Sequence, residues 1–177
     1  MASIGSERGA AGRARKAVAA AALLVLAGAA TAAAQQARLR PATWSLEMMS
    51  DVRGGDSGVA GVAALRARIE PGWHLYSLTE PSGGPRATVI AVVSDPPFRL
   101  AGAIARPAPD TIPDRTSTGI SELYSDSVTF RLPIGTPSLL PEGRRSLVVA
   151  VTYQVCSARL CLAPRTDSLA VSANVVR

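Results

Sequence analysis

The chain has 177 residues, 19 basic against 13 acidic side chains, a formal net charge of +6, and only two cysteines. Its arginines are scattered singly apart from Arg144-Arg145, without a basic stripe interleaved with aromatic residues, which argues against a nucleic acid as partner. No stretch beyond the N-terminal region is long and apolar enough to cross a bilayer, so we expect no membrane span there.

The N-terminal region has the three parts of an export signal. Four basic residues between positions 8 and 16 precede an Ala-rich apolar run at 17–30, and Ala32 and Ala34 form the small-residue pattern of a cleavage site. We therefore predict a cleavable signal peptide over 1–34, with a retained anchor as the alternative. Its removal takes away four of the 19 basic residues and one of the 13 acidic ones, which lowers the net charge from +6 to +3. The remaining 35–177 is predicted to be one extracytoplasmic domain, periplasmic or otherwise secreted.

Short apolar stretches separated by Gly, Pro and Asp follow, and no segment of useful length has a helical period. The predicted strands, in chain order, are 44–48, 62–69, 73–76, 87–93, 98–100, 128–132, 146–155 and 168–175. Turns are predicted at 54–58 and 71–72, and the Pro-rich segment 106–119 is predicted to be a long loop. About eight short strands indicate an all-β protein, an immunoglobulin-like antiparallel β-sandwich of two sheets.

Cys156 and Cys161 are the candidate functional pair. In an exported chain an isolated pair of cysteines indicates a disulfide, and four intervening residues can form the required bend. Closing so small a loop restricts the unfolded chain by only about 2 kcal/mol. Local disulfides of this kind exchange readily, so the pair is either redox-active or a structural staple, and the spacing leaves both open. Arg159 lies between the cysteines, where it either favours a thiolate or is a solvated turn residue.

Other candidates have simpler interpretations. His74 could act as a base toward a thiol, but packing or surface exposure is the favoured interpretation. Cys156, Cys161 and His74 together are too few ligands for a closed zinc site. Met48 and Met49 point to opposite faces of a strand, so their sulfurs do not converge on Cu(I). Trp44 and Trp73 are predicted core anchors. A Gly-x-Ser-x-Gly motif and a phosphate-binding loop are absent from the sequence, and we expect neither metal nor cofactor.

Three blocks of the chain, in order, resemble one known family. Tyr153-Gln-x-Cys156-x4-Cys161-Leu-x-Pro164 resembles the active-site segment of the N-terminal periplasmic domain of DsbD, the thiol:disulfide interchange protein. Pro71-Gly-Trp-His-Leu-Tyr76 resembles the aromatic strand of that domain, and Gly119-Ile-Ser-Glu-Leu-Tyr-Ser-Asp-Ser-Val128 resembles the segment after its cap loop. The resemblance covers nearly all of 35–177.

The resemblance implies an immunoglobulin-like fold and an electron relay in which sulfur carries both electrons without a cofactor. Cys161 would form the mixed disulfide with a partner and Cys156 would resolve it. Tyr76 would flank the pair, and Tyr153 and Arg159 are further candidates for flanking residues. The expected partners are periplasmic thioredoxin-fold proteins, with a separately encoded membrane thiol reductase as donor because this chain carries no membrane domain.

A cap over the sulfurs is expected around 114–119, a segment that begins with Asp114 and Arg115. The family commonly presents an aromatic side chain there, and this chain has none. The alternative function, from a different class, is a redox-inert envelope protein that binds another protein and uses the Cys156–Cys161 bond as a staple.

Overall fold

The computed structural model describes residues 39–54, 58–79, 85–94, 98–113, 119–136 and 140–177, and within them it contains strands and no helix. The twelve strands are β1 Ala42–Met48, β2 Val52–Arg53, β3 Gly61–Ile69, β4 Trp73–Tyr76, β5 Val89–Val92, β6 Arg99–Leu100, β7 Asp110–Pro113, β8 Ile120–Tyr124, β9 Ser127–Gly135, β10 Gly143–Tyr153, β11 Val155–Ser157 and β12 Arg165–Val176. Accordingly, no described helix could cross a membrane. The predicted signal peptide lies outside the described residues.

The strands form three four-stranded sheets. The first has the order β1-β3-β9-β6, the second β2-β12-β10-β5 and the third β11-β4-β8-β7. Neighbouring strands are antiparallel except β2 and β12, which run parallel over two residues. The all-β, antiparallel prediction is confirmed, and the structure adds a small third sheet to the two that were expected.

Alternating apolar residues of the long strands build the core. In β9 every second side chain is buried, from Val128 to Ile134, and β10 repeats the pattern from Leu147 to Tyr153. Successive side chains of a strand point to opposite faces, so each strand offers one continuous apolar row. These rows belong to a single buried cluster to which all three sheets contribute.

Aromatic rings occupy the centre of this cluster. Phe130 stacks on Trp44 with ring centroids 6.2 Å apart and meets Tyr124 edge-on at 5.8 Å. Tyr153 lies edge-on to Trp44 at 5.3 Å. Trp44 and Trp73, the predicted core anchors, are both partly buried and pack against this cluster. Each such aromatic pair stabilises the fold by about 0.5–1.5 kcal/mol beyond the free energy gained from burying the rings.

The segment predicted to be a loop between 106 and 119 contains a strand. Its residues Asp110–Pro113 pair with β8 at the edge of the third sheet. All four side chains are exposed, so no core-facing alternation marks this strand in the sequence. Proline is tolerated in an edge strand because an edge leaves part of the backbone unpaired. The turn at 71–72 is present, with Gly72 at φ 80°, whereas residues 55–57 of the turn predicted at 54–58 are outside the described residues.

The hydrogen bond of the buried Tyr153 hydroxyl gives a testable prediction about the stability of the fold. Its hydroxyl donates to Asp167 Oδ2 at 2.8 Å, and burial, followed by this carboxylate, raises the pKa of Tyr153 to about 12. A raised folded-state pKa stabilises the protein fully below the unfolded value of about 10, and this stabilisation is lost as pH rises toward 12. We expect Tyr153→Phe to lower the free energy of unfolding by about 2 kcal/mol at pH 7.

The difference in free energy of unfolding between the wild type and Tyr153→Phe should narrow between pH 10 and 12, because only the wild type loses the stabilisation from the tyrosine hydroxyl there. Urea titrations of both proteins at a series of pH values measure it. Thr129→Ala, at an exposed position of β9, is the control. A difference that stays constant up to pH 12 would contradict the assignment.

Candidate functional site

A short hairpin at the edge of the third sheet carries both cysteines. Cys156 lies in β11 and forms a disulfide with Cys161, whose Cα atom is 4.0 Å away. The two residues form an isolated antiparallel bridge, directly opposite each other across the hairpin. Their Cα separation is typical of the closely spaced, non-hydrogen-bonded pair of an antiparallel ladder. The chain therefore brings the sulfurs together by ordinary strand pairing.

Backbone hydrogen bonds flank the disulfide on both sides. The Ser157 amide donates to the Leu160 carbonyl at 2.8 Å, and the Leu162 amide donates to the Val155 carbonyl at 3.0 Å. Within the turn, Ser157 Oγ accepts the amide of Leu160 at 3.1 Å and that of Arg159 at 3.3 Å. Serine often supplies such local bonds in turns. The hairpin thus has its own hydrogen bonds in addition to the disulfide.

Gln154 connects the hairpin to the rest of the domain. It stands between β10 and β11, where the chain passes from the second sheet to the third. Its side-chain carbonyl accepts the Arg86 amide at 2.9 Å, and its side-chain amide donates to the Leu162 carbonyl at 3.0 Å. The glutamine of the Tyr-Gln-x-Cys block therefore holds the return arm of the hairpin and a distant segment together.

One face of the third sheet packs on the main core. Val155 of β11 lies opposite Leu75 of β4, and Leu75 lies opposite Tyr124 of β8. Directly opposite residues of an antiparallel sheet point to the same face, and all three side chains belong to the core cluster. Burial raises the pKa of Tyr124, whose hydroxyl donates to the Pro107 carbonyl at 3.0 Å. This face anchors the site.

The other face carries the cysteines. Because side chains alternate along a strand, Cys156, Tyr76 and Leu123 point away from the main core, and they form a small buried cluster of their own. Cys156 is 3% exposed and Tyr76 is 7% exposed, whereas Cys161 is an exposed residue. The two sulfurs of one disulfide therefore belong to residues in unequal surroundings, one sheltered and one at the surface.

The predicted flanking residues that the structure describes lie in three different places. Tyr76 lies with Cys156 in the small cluster, while Tyr153 lies in the main core and bonds Asp167. Arg159 is exposed in the hairpin turn. Asp114 and Arg115, predicted to belong to the cap, are outside the described residues.

The strand register adds a residue whose position the sequence did not reveal. His74 of β4 lies directly opposite Cys156 of β11. The aromatic strand was recognisable, but its register against β11 depends on pairing between segments far apart in the chain. Across the described ranges, His, Cys, Asp and Glu side chains form no cluster of three that could hold a metal ion.

Comparison with known proteins gives one family. The family described as "Thiol:disulfide interchange protein DsbD, N-terminal" matches residues 54–173, which include both cysteines and every strand of the third sheet. No curated protein matches the chain in sequence.

Solved structures similar to this chain include three bacterial proteins. The N-terminal domain of Neisseria meningitidis DsbD in the reduced form is 18% identical, with a TM-score of 0.46, over 63% of this chain and 77% of that one. The N-terminal periplasmic domain of ScsB from Proteus mirabilis is 17% identical, with a TM-score of 0.47, over 77% of this chain and 49% of that one. AggA, the major subunit of aggregative adherence fimbriae type I from Escherichia coli, is 11% identical, with a TM-score of 0.36, over 77% of this chain and 97% of that one.

Proposed function

The chain belongs to the family of DsbD N-terminal domains, whose fold is an immunoglobulin-like β-sandwich, and from this premise we propose that it relays electrons by thiol–disulfide exchange through Cys156 and Cys161. The reducing equivalents pass to thioredoxin-fold proteins in the periplasm and come from a membrane thiol reductase. The family description names thiol:disulfide interchange, and the disulfide lies within the matched residues. No metal or organic cofactor is required because the two sulfurs hold the electron pair.

The unequal exposure of the two cysteines is the observation that carries this proposal. A partner sulfur must approach along the axis of the bond it attacks, so access decides which sulfur reacts. Cys161 is exposed, whereas Cys156 is 3% exposed. This difference supports Cys161 as the residue that bonds to partners and Cys156 as the residue that resolves the mixed disulfide.

The exchange then proceeds in two steps toward an acceptor. The Cys161 thiolate attacks a partner disulfide, forming an intermolecular bond and releasing one partner thiolate. The Cys156 thiolate next attacks Cys161 Sγ, which re-forms the internal disulfide and releases the second partner thiolate. The partner gains two electrons and this domain loses two. Reduction by the donor follows the same steps in reverse.

The surroundings of the pair support two further assignments within this proposal. Tyr76 shares the small cluster with Cys156 and flanks the resolving sulfur. The segment around Asp114 and Arg115 follows β7, which pairs with β8 next to the β4 strand of the site. That this segment forms a cap over the sulfurs is proposed on the family resemblance.

A purely structural role is less well supported. The hairpin has two flanking backbone bonds and a serine-bonded turn without the disulfide. Closing this short loop adds only about 2 kcal/mol in the chain-entropy model, and the main core is built without either cysteine. The Cys156–Cys161 disulfide therefore contributes little to the stability of the hairpin or of the core.

The reduction potential of the pair tests the proposal. Structural disulfides of secreted proteins lie below about −300 mV, so we expect a higher value for an exchanging pair. The protein is equilibrated with graded ratios of reduced to oxidised glutathione, quenched with acid and alkylated at its free thiols. The mass added by alkylation gives the reduced fraction at each ratio, and hence the reduction potential. A second incubation with reduced thioredoxin should release two thiols per chain. A potential below −300 mV without thiol release would favour the redox-inert alternative.

A further inference from the structure

His74 and the cysteines form a continuous row across the third sheet. Cys161 is opposite Cys156, and Cys156 is opposite His74. The register of β4 with β8 continues this row to Ser125. Directly opposite side chains of antiparallel strands share a face, with Cβ atoms about 4.5–5.5 Å apart. The side chain of His74 therefore begins at the position directly beside the sheltered cysteine, on the same face of the sheet.

A hydrogen bond orients the imidazole within this row. His74 Nδ1 lies 3.1 Å from Ser125 Oγ, in a partly buried position. Ser125 follows β8, on the side of β4 remote from Cys156. The hydroxyl thus engages one ring nitrogen and leaves Nε2 for another partner. Such a bond to one nitrogen commonly orients a histidine ring and selects its tautomer.

We propose that His74 is the proton acceptor and donor for Cys156 during exchange, an inference that rests on the proposed function. When the domain reduces an acceptor, the Cys156 thiol gives its proton to His74 and its sulfur attacks Cys161 Sγ. The bond between Cys161 and the partner breaks, and the partner leaves as a thiolate. When a donor reduces the domain, Cys156 leaves as a thiolate and takes the proton back from His74.

The chemistry of the resolving thiol explains why a neighbouring base matters. An unperturbed cysteine has a pKa near 8.5, so only about 3% of it is thiolate at pH 7. Burial away from water disfavours the charged form further. An adjacent imidazole that accepts the proton forms an ion pair with the sulfur, which increases the reactive fraction without exposing it.

No other described base of the neighbouring strands has the same position. On its own strand the neighbour on this face is Tyr76. On β8, Glu122 alternates to the opposite face from Leu123 and contacts Arg106 at 3.6 Å and Thr79 at 2.6 Å. Asp110 of β7 is exposed on the cysteine face, opposite Leu123, and β8 separates it from β4.

The remaining charges around β4 are at the periphery. Asp126, after Ser125, is exposed, as is Arg159 in the hairpin turn. The arginines of β3, Arg66 and Arg68, line the outside of the first sheet together with Thr43. Glu70, whose carbonyl accepts the Trp73 amide at 3.1 Å, is exposed before β4. His74 is also the only histidine of the chain.

Stopped-flow oxidation of the reduced protein by 5,5′-dithiobis(2-nitrobenzoate) separates the two chemical steps. The first release of nitrothiobenzoate reports attack by Cys161 and depends on reagent concentration. The second reports intramolecular attack by Cys156 and does not. In His74→Gln we expect the second step to be roughly tenfold slower at pH 7, and the deficit to shrink steadily as pH rises because more of the attacking thiol then ionises without a base.

Controls separate this role from a structural one. The first step should change less than about twofold in His74→Gln because Cys161 is not the residue beside the histidine. Ser125→Ala should give a smaller loss with the same pH profile, and Thr129→Ala should match the wild type. The protein is prepared without a polyhistidine tag, and its circular dichroism spectrum verifies the fold of each variant.

Two results would overturn the inference while leaving the proposed function intact. The second step could be unchanged in His74→Gln at every pH, or it could be slowed by the same factor at every pH, as a merely structural residue would produce. A wild-type disulfide that resists reduction by thioredoxin would instead contradict the proposed function itself.

Discussion

Replacing Cys156 with serine should trap this protein in covalent complexes, whereas replacing Cys161 should not. In Cys156→Ser the exposed Cys161 can still attack a partner disulfide, but no second thiol remains to resolve the product. In Cys161→Ser the remaining thiol is Cys156, which is 3% exposed beside Tyr76 and Leu123. Thiolate access limits exchange, so we expect complex formation to differ on the order of 100-fold.

Non-reducing electrophoresis with an oxidised thioredoxin-fold protein measures this difference directly. The trapped species should have the summed mass of the two chains and should disappear with dithiothreitol. The double variant lacking both cysteines provides the background. Equal trapping by the two single variants, or preferential trapping through Cys156, would reverse the assigned roles of the two cysteines.

Replacing Phe130 with alanine should have the largest effect on stability. Phe130 is completely buried in β9 and contacts the rings of Trp44 and Tyr124. Removing a buried phenylalanine costs about 3–5 kcal/mol because apolar burial is lost and a cavity remains. That is more than the roughly 2 kcal/mol expected from the disulfide. Urea unfolding of the oxidised protein, monitored by tryptophan fluorescence, provides the measurement.

A matched apolar truncation at the surface controls for the loss of carbon atoms alone. Ile120, at the start of β8, is 60% exposed, and Ile120→Ala should change the free energy of unfolding by less than about 0.5 kcal/mol. Reduction of the wild type offers the second comparison. If opening the disulfide destabilised the domain more than Phe130→Ala does, the staple interpretation of the cysteine pair would regain support.

The sequence predicted those strands that have one face on the core. In 44–48 and 128–132 the apolar residues alternate, and the structure has β1 and β9 there. Periodicity reports burial, so it predicts a strand only where one face is buried and the other is not. The exposed edge strand β7 has no such pattern. It pairs with β8 through its backbone, which side-chain periodicity does not report.

The sequence also did not predict the break between β10 and β11. Val151, Tyr153 and Val155 are all buried, so the apolar alternation continues through the point where the chain changes sheets. The break occurs at Gln154, whose side chain bonds Arg86 and Leu162. One of these partners is distant in sequence, and spacing alone cannot indicate a bond of that kind.

The cysteine pair itself was predictable and the family resemblance implied unequal roles for its members, but the residues alone did not indicate which sulfur is sheltered. Export and spacing indicated a disulfide between Cys156 and Cys161, which the structure contains. Which sulfur is sheltered depends on the order of strands in the third sheet, as does the position of His74 opposite Cys156. These pairings join segments that are far apart in the chain, and the local sequence of a segment does not indicate which other segment it pairs with or in what register.

The pairing of Tyr153 with Arg165 encloses the whole cysteine segment between two residues of the second sheet. We expect this pairing, together with the flanking backbone bonds of the hairpin, to keep the two sulfurs close when the disulfide is reduced. In the proposed exchange, Cys156 would therefore meet a mixed disulfide on Cys161 at a high effective concentration, as in any reaction made intramolecular. Under the proposed function, the covalent complex with a partner would consequently be short-lived, and the domain would be released for another cycle.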